Sequence, residues 1–247
     1  MFASSTLKTP CLNKRTIPRF ANEQQVKTGG FNFQVTPPGG SYAFYEDDGR
    51  PYLALRMVPF IFHGELSSSR ISEIDTSRPL DQRVYCWQPT PTANVVVTYT
   101  HRFAEIAPPP GLSENLFLWN ARLSSDKGVT AVGVTRSHLY NGYFAIVAQD
   151  FNFAARTGLL QLTPLPVWIN ATKWHTVHIV MSQETATLQI EQDDRQATVL
   201  QMPFLHPPDP LGFEFSLDNE IAPESIHPVT VADQLDIAFY HAELQQK

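Results

Sequence analysis

The chain has few cysteines, no long apolar run and no excess of basic residues, and each absence narrows what it can do. Only Cys11 and Cys86 occur among 247 residues, too few for a disulfide framework or a zinc site. No stretch of about 18 apolar residues is present to span a membrane. The net charge of -6 is spread along the chain, which leaves no basic stripe for nucleic acid. We therefore expect neither a membrane nor a nucleic acid as a partner.

The low number of cysteines and the lack of an apolar run at the N-terminus both indicate the cellular compartment. Cys11 and Cys86 are predicted to stay unpaired, because Cys11 lies in a segment with little strand character, and free thiols fit a reducing compartment. Met1–Phe20 has no apolar core of the kind that a secretory signal needs. On both grounds we expect a cytoplasmic location, and the alternative is a secreted protein whose leader has been removed from this sequence. Residues 1–29 are predicted to be a loosely ordered arm ahead of a single domain over residues 30–247.

What the chain does contain is short runs in which apolar and polar residues alternate. In Thr185–Gln192, Ala186, Leu188 and Ile190 alternate with polar residues. Side chains of a strand point to opposite faces with a period of two, so this run predicts a strand with one buried face. About a dozen such strands, no long helix and prolines between the strands predict an all-β, two-sheet antiparallel sandwich.

Other segments are predicted with less regular patterns. Gly30–Val35 is predicted as the first strand and Val84–Trp87 as a short one. Gly64–Asp81 is polar and irregular, and it is predicted to be a long loop or a short helix.

The hairpin Trp174–Gln192 carries a family resemblance. Its arms read Trp-His-Thr-Val-His-Ile and Thr-Ala-Thr-Leu-Gln-Ile, and it resembles the penultimate strands of the concanavalin A-like lectin/glucanase superfamily, which includes laminin G-like jelly rolls. Leu211–Ser216 is similar to the strand that follows there, and Leu235–Leu244 to the closing strand. The resemblance implies a jelly roll of two curved sheets, with any ligand on the concave face.

The resemblance also directs attention to one pair of acids. The laminarinase-like glycosidases of this superfamily carry Glu-x-Asp-x-x-Glu or Glu-x-Asp-x-Glu on a central strand, where one carboxylate attacks the sugar and another protonates the leaving oxygen. The nearest run here makes Glu214 and Asp218 the candidate catalytic residues, since both share one face of a regular strand. Ser216 stands where the motif has an acid, so a polar strand end is the alternative. The Arg, Gln, His and Tyr pattern of alginate lyases is not recognisable in the chain.

Five further polar residues lie on the less apolar faces of long predicted strands, and they are the candidate ligand-binding residues. They are Arg102, Asn120, Arg122, Tyr143 and Gln149. If their strands are neighbours and that face is concave, these residues line one groove. Guanidinium, amide and phenol groups are suited to orienting a sugar or a carboxylate. The alternative is a solvated convex face.

No metal or other cofactor is predicted. His175 and His178 are three residues apart on a predicted strand, which places them on opposite faces and makes a shared metal ion an unfavourable reading. No phosphate-binding loop, dinucleotide motif or zinc motif occurs.

Three functions remain open on the sequence. The leading hypothesis is a lectin-like domain that binds a carbohydrate or another polar small ligand on the concave sheet. The second is an enzyme on the same scaffold: a glycan hydrolase or lyase, or a cyclase acting on a small metabolite. The third is a structural or interaction domain without a small ligand. The sequence leaves the oligomeric state open.

Overall fold

The computed structural model confirms a β-sandwich with almost no helix. It describes residues 13–17, 19–36, 40–57, 61–62, 65–66, 68–75, 77–103, 117–124, 130–137, 142–152, 155, 157–220 and 235–247. Of these described residues, about 64% lie in strands and about 5% in helices.

Seventeen strands and two short helical segments lie within the described residues. The strands are β1 Lys14–Ile17, β2 Asn32–Thr36, β3 Gly40–Asp47, β4 Arg50–Met57, β5 Ile61–Phe62, β6 Glu65–Leu66, β7 Ser68–Ser72, β8 Val95–Phe103, β9 Phe117–Ser124, β10 Thr130–Ser137, β11 Gly142–Asn152, β12 Thr157–Pro164, β13 His175–Met181, β14 Thr185–Gln192, β15 Arg195–Pro203, β16 Gly212–Glu220 and β17 Leu235–Gln246. The helix α1 spans Glu23–Thr28, and a 3-10 turn spans Leu80–Gln82.

The strands form two antiparallel sheets and one small hairpin. The eight-stranded sheet has the order β15-β14-β13-β8-β17-β4-β3, with β1 also paired to β17. The seven-stranded sheet has the order β12-β11-β10-β9-β16-β7-β2, and β5 pairs only with β6. The two larger sheets are the two layers that the sequence predicts.

The core lies between these two sheets, and strict alternation places it there. In β8 the odd-numbered residues are buried and the even-numbered ones are partly exposed, from Val95 to Phe103. On the facing sheet, Phe213 and Phe215 of β16 pack edge-on at 4.7 Å, and Phe215 reaches Phe239 of β17 at 4.3 Å. Aromatic rings from both layers therefore fill the centre, where their large area of contact is most stabilising.

The expected loose arm is wrong for residues 13–29. β1 pairs with β17, from Lys14 opposite Gln245 to Ile17 opposite Ala242. Ile17, Phe20 and Val26 are almost fully buried in the main core. These residues stand too far apart to show a regular period, so the sequence pattern missed them. Residues 1–12 lie outside the described part of the chain.

The prediction of two free thiols is also wrong. Cys86 is disulfide-bonded, and Cys11 is the only other cysteine in the sequence, although it lies outside the described residues. The docked β1 explains this result, because Arg15 of β1 donates to the Gly30 carbonyl at 3.1 Å and its Nη2 lies 3.9 Å from the Cys86 Sγ. A disulfide removes one of the two grounds for expecting a reducing compartment.

Two strand predictions also need correction. Ser68–Ser72, within the predicted loop, is β7, a strand whose polar serines and arginine hide the usual alternation. Val84–Trp87 is not a strand, and Trp87 makes only an isolated bridge to Leu211. Gly30–Val35 was placed nearly correctly, since β2 covers Asn32–Thr36.

Candidate ligand-binding site

A buried ion pair lies on the outer face of the seven-stranded sheet. Phe213 and Phe215 point into the core, so Glu214 between them points to the opposite side of the sheet. The Glu214 side chain is only 3% exposed, and its Oε2 lies 3.1 Å from the Arg70 Nη1 on β7. A buried carboxylate without a cation is very costly, so this pairing fixes both side chains.

The strand β16 can approach β7 closely because of one glycine. A Cβ at Gly212 would lie 2.3 Å from the Ile74 Cγ1. The next residues along β16 are then in register with β7, with Glu214 opposite Ser72 and Ser216 opposite Arg70. A side chain at position 212 would meet the Ile74 side chain, which would have to move to make room for it.

Arg122 and Asp218 lie on the neighbouring strands β9 and β16 of this sheet, at different register positions. Glu214 is directly opposite Arg122 of β9, whose own partner on β10 is Gly133. Asp218 is opposite Ser68 of β7, in the same unbroken register that contains Glu214. Directly paired residues have Cβ atoms about 5 Å apart. The backbone therefore brings Glu214 and Arg122 together on adjacent strands, whereas Asp218 lies four residues further along β16, about 13 Å away.

Asn120 lies at an irregularity in β9. Towards β10, Ala121 pairs with Val134 and Trp119 with Thr135, which leaves Asn120 without an opposite residue. Towards β16 the register shifts at the same place, between Phe215 and Asp218. Irregularities of this kind redirect side chains and are common beside functional sites.

Tyr143 and Gln149 do not share this face. Both lie on β11 in line with Val147, which belongs to the main core, so they point into the sandwich. Gln149 is fully buried, and its Oε1 accepts from the Leu205 amide at 2.7 Å. The expectation that these two residues line one groove with Arg122 is therefore wrong: Gln149 binds the segment after β15, and Tyr143 packs beside the core.

Tyr143 does line a cavity of about 440 Å³ at one end of the sandwich. The lining is mostly apolar and includes Phe144, Leu165, Val167 and Ile169. Arg136 of β10 is directly opposite Tyr143 in the register, and its guanidinium lies 5.4 Å from the Tyr143 ring.

Arg102 lies on the other sheet altogether. It belongs to β8 of the eight-stranded sheet, on the outer face, where its Nη1 is 2.9 Å from the Asp47 Oδ2. The expected single groove is therefore wrong for Arg102 as well. Alternation assigns a residue to one side of its own strand, but it does not tell which sheet the strand joins.

The two histidines of β13 point to opposite faces, as predicted. His175 is buried beside His101 of β8, with ring centroids 4.2 Å apart. His178 is partly exposed on the outer face, within 3.0 Å of the Thr98 hydroxyl. Burial lowers the pKa of His175 from its usual 6.5 to about 4, against the opposing effect of its hydrogen bond to the Lys173 carbonyl. Both buried rings are therefore neutral at neutral pH, because burial also lowers the pKa of His101.

Sequence reasoning missed Arg70, which the structure makes the partner of Glu214. The only sequence signal for the strand that carries Arg70 is Arg70-Ile71-Ser72, in which one apolar residue stands between two polar ones. That pattern is too short to identify a strand within a polar segment. Among the described residues, no group of three or more His, Cys, Asp or Glu side chains is placed to hold a metal ion. No helix in the described ranges is long and apolar enough to cross a membrane.

Comparison with known proteins identifies the fold. No family model matches the chain, and no curated protein matches its sequence. The solved structure of the alginate lyase AlgAT5, of polysaccharide lyase family 7, is similar over 95% of this chain and 94% of its own, at 11% identity and a TM-score of 0.55. The alginate lyase Aly36B is similar over 96% and 98%, at 12% identity and a TM-score of 0.55.

A phage module has a similar fold too. The CBM2 module of the evolved Dit of Lactobacillus casei BL23 phage J-1 matches over 94% of this chain and 97% of its own, at 11% identity and a TM-score of 0.50. These matches and the two-sheet topology show that the chain has a jelly-roll β-sandwich fold. At such low identity they show the fold alone.

Proposed function

We propose that the outer face of the seven-stranded sheet, around Glu214, Arg70 and Arg122, binds a carbohydrate or another polar small ligand. The observation that carries this proposal is the buried Glu214–Arg70 pair with Arg122 directly opposite Glu214 in the register. Ionised groups held in place on a rigid sheet can orient hydroxyl and carboxylate groups of a ligand.

The fold is compatible with this use. One of the similar structures is an Aly36B variant in complex with an alginate tetrasaccharide, at 13% identity and a TM-score of 0.55. The two sequences are only 13% identical, so the residues that bind alginate there cannot be transferred to this chain. The similarity supports only the choice of a sugar as the first ligand to test. The specific residues of this chain must be tested by substitution.

The test is a screen of glycans and small carboxylates by thermal shift and calorimetry. Arg122→Ala is expected to abolish binding of the ligand that stabilises the wild type, while the melting temperature without ligand changes by only a few degrees, as is usual outside the core. Arg195→Ala serves as the matched control, since Arg195 stacks on Trp168 in another part of the fold. A ligand that stabilises the wild type and Arg122→Ala equally would remove Arg122 from the site and contradict the proposal.

The second candidate function is an enzyme acting at the same face. It is favoured by two acids in one register, Glu214 and Asp218, next to an irregularity in β9. For a ligand that binds, the measurement is release of reducing ends or of unsaturated sugar products over time. Turnover that disappears in both Glu214→Gln and Asp218→Asn, with binding retained in at least one of them, would identify an enzyme; binding without turnover would identify a lectin-like domain.

A further inference from the structure

A row of aromatic side chains lies on the outer face of the eight-stranded sheet, away from Glu214. We name the row and the two arginines stacked on it the aromatic strip: Tyr45, Tyr52, Trp174, Tyr240, Arg56 and Arg102. Ring centroids are 5.6 Å apart from Tyr45 to Tyr52, 5.6 Å from Tyr52 to Trp174 and 6.2 Å from Trp174 to Tyr240. None of the four rings is fully buried, and Tyr45 is 39% exposed. The strip is therefore a nearly evenly spaced aromatic surface open to solvent.

Both arginines are held against the rings. The Arg102 guanidinium lies 4.5 Å from the Trp174 ring and 5.2 Å from the Tyr52 ring, and it also bonds the Asp47 carboxylate at 2.9 Å. Arg56 lies 4.9 Å from the Tyr45 ring. Cation–π contacts and the ion pair order these side chains, so their hydrogen-bonding groups are already positioned for a ligand.

Small residues lie beside the strip, whose neighbouring rings are tilted by 32° from Tyr45 to Tyr52, by 72° from Tyr52 to Trp174 and by 59° from Trp174 to Tyr240. Ala43, Ala54 and Ala238 are aligned across β3, β4 and β17, and the same row ends at Arg102 of β8. Because no large side chain stands at these positions, Arg56 can lie across to Tyr45. The alanines thus keep the surface shallow and broad rather than ridged.

The charges around the strip nearly balance. The turn joining β3 and β4 places Glu46, Asp47 and Asp48 close to Arg50, and with Arg56, Arg102 and the exposed Lys173 before Trp174 the strip region has three acids and four basic residues. A polyanion such as nucleic acid would be repelled by the exposed carboxylates as much as attracted by the guanidiniums. A neutral ligand with many polar groups suits this balance better.

We propose that the aromatic strip binds a neutral glycan chain, at a site separate from the one around Glu214. Sugar rings have apolar C–H faces that can pack on Trp174 and the tyrosines, and hydroxyl edges that can bond Arg102 and Asp47. Aromatic rings with one apolar face and adjacent polar groups are suited to such ligands.

The test is native gel electrophoresis in gels that contain a neutral polysaccharide, with dextran, galactomannan and xyloglucan as the probes. Wild-type protein is expected to be retarded by at least one of them. Trp174→Ala and Tyr45→Ala should each weaken that binding roughly tenfold or more, the scale of one lost stacking partner, while Trp174→Phe should retain most of it. Trp168→Ala is the control, because Trp168 is also stacked on an arginine but lies outside the strip. Melting temperatures of all variants identify any that fail to fold, and Tyr45→Ala, at an exposed position, keeps the test valid if Trp174→Ala does.

Four other outcomes would overturn the proposal, and each would lead to a different conclusion about the strip. Retardation by none of the probes, or equal retardation of wild type, Trp174→Ala and Tyr45→Ala, removes the strip as a glycan site. Binding only to polyuridylate, lost in Trp174→Ala, would make the strip a nucleic-acid surface. A wild-type dimer that Trp174→Ala dissociates would make it a contact between copies of the chain. Retardation that Arg122→Ala abolishes would assign the glycan to the Glu214 face, whereas failure of the Arg122 screen alone leaves the strip standing.

Discussion

At the scale of single residues, the buried histidines His101 and His175 are the most sensitive part of the core. Their rings are in contact between β8 and β13, and His101 also stacks on Phe239 with centroids 6.0 Å apart. Such a pair packs well only when neutral, because an imidazolium there would be a charge buried in the core, away from water. Histidine in place of an apolar residue therefore makes the stability of the fold depend on pH.

The sign of that dependence follows from the lowered pKa values. The unfolded chain takes up protons at these histidines below about pH 6.5, whereas folded His175 does so only near pH 4. Acidification from pH 7 to pH 4 should therefore lower the free energy of unfolding by about 3 kcal/mol through His175. The measurement is urea unfolding of wild type and His175→Phe at both pH values. The decrease should be smaller in the variant, and an equal decrease in both would show that His175 does not contribute.

Single residues also show what the sequence can and cannot predict about the candidate site, whose role stays a prediction. Glu214 and Arg122 were candidates because of their chemistry and their face, and the register then placed them opposite each other. Arg70 could not be found in the same way, since the strand that carries it has no apolar period. Tyr143 and Gln149 were assigned to the wrong face because polar residues also occur on inner faces near strand ends.

At the scale of elements, alternation predicted most strands and their buried faces but not how the strands are arranged. β8 and β9 follow one another in sequence but belong to different sheets, so Arg102 and Arg122 lie on opposite outer faces of the sandwich. Arrangement is set by long-range pairing, which no local period records. The same limit applies to β1, a short strand whose partner β17 is at the other end of the chain.

The docking of β1 depends on one buried carboxylate, Glu73, at the end of β7. Glu73 accepts from the Trp87 Nε1 at 2.5 Å and the Phe213 amide at 3.1 Å, and its Oε1 lies 3.2 Å from the Arg15 Nε of β1. Burial raises the pKa of Glu73, while Arg15 and the two hydrogen bonds act to lower it. One side chain thus joins β1, β16 and the segment around Cys86.

Removing that carboxylate should loosen β1. Glu73→Ala leaves the largely buried Arg15 charge without its acid, which is expected to cost about 3 kcal/mol or more. Urea unfolding should show this loss, and hydrogen exchange at Lys14–Ile17 should accelerate. The control is Asp75→Ala, which breaks the exposed pair with Arg78 and should cost less than about 1 kcal/mol. Equal effects of the two substitutions would show that Glu73 does not hold β1 in place.

At the scale of the whole molecule, the two outer faces of the sandwich carry different chemistry. The seven-stranded sheet presents the Glu214–Arg70 pair, and the eight-stranded sheet presents aromatic rings stacked with arginine. Both faces are built on the same shared core, whose inward residues are nearly all apolar. A jelly roll can therefore vary its two outer surfaces independently while the core keeps the fold.

The disulfide at Cys86 is a covalent cross-link, and it makes the stability of the whole fold depend on redox conditions. If Cys86 is joined to Cys11, the closed loop covers most of the first third of the chain, and the chain-entropy account gives such a loop about 4 kcal/mol. For a chain of this size that corresponds to a fall in melting temperature of roughly 10 °C on reduction. The measurement is thermal unfolding with and without reductant, beside Cys86→Ser. The variant should melt near the reduced wild type and should not respond to reductant. Thiol counting under denaturing, non-reducing conditions should find no free thiol in a monomer two daltons lighter than the reduced chain, and two free thiols would contradict the disulfide at Cys86.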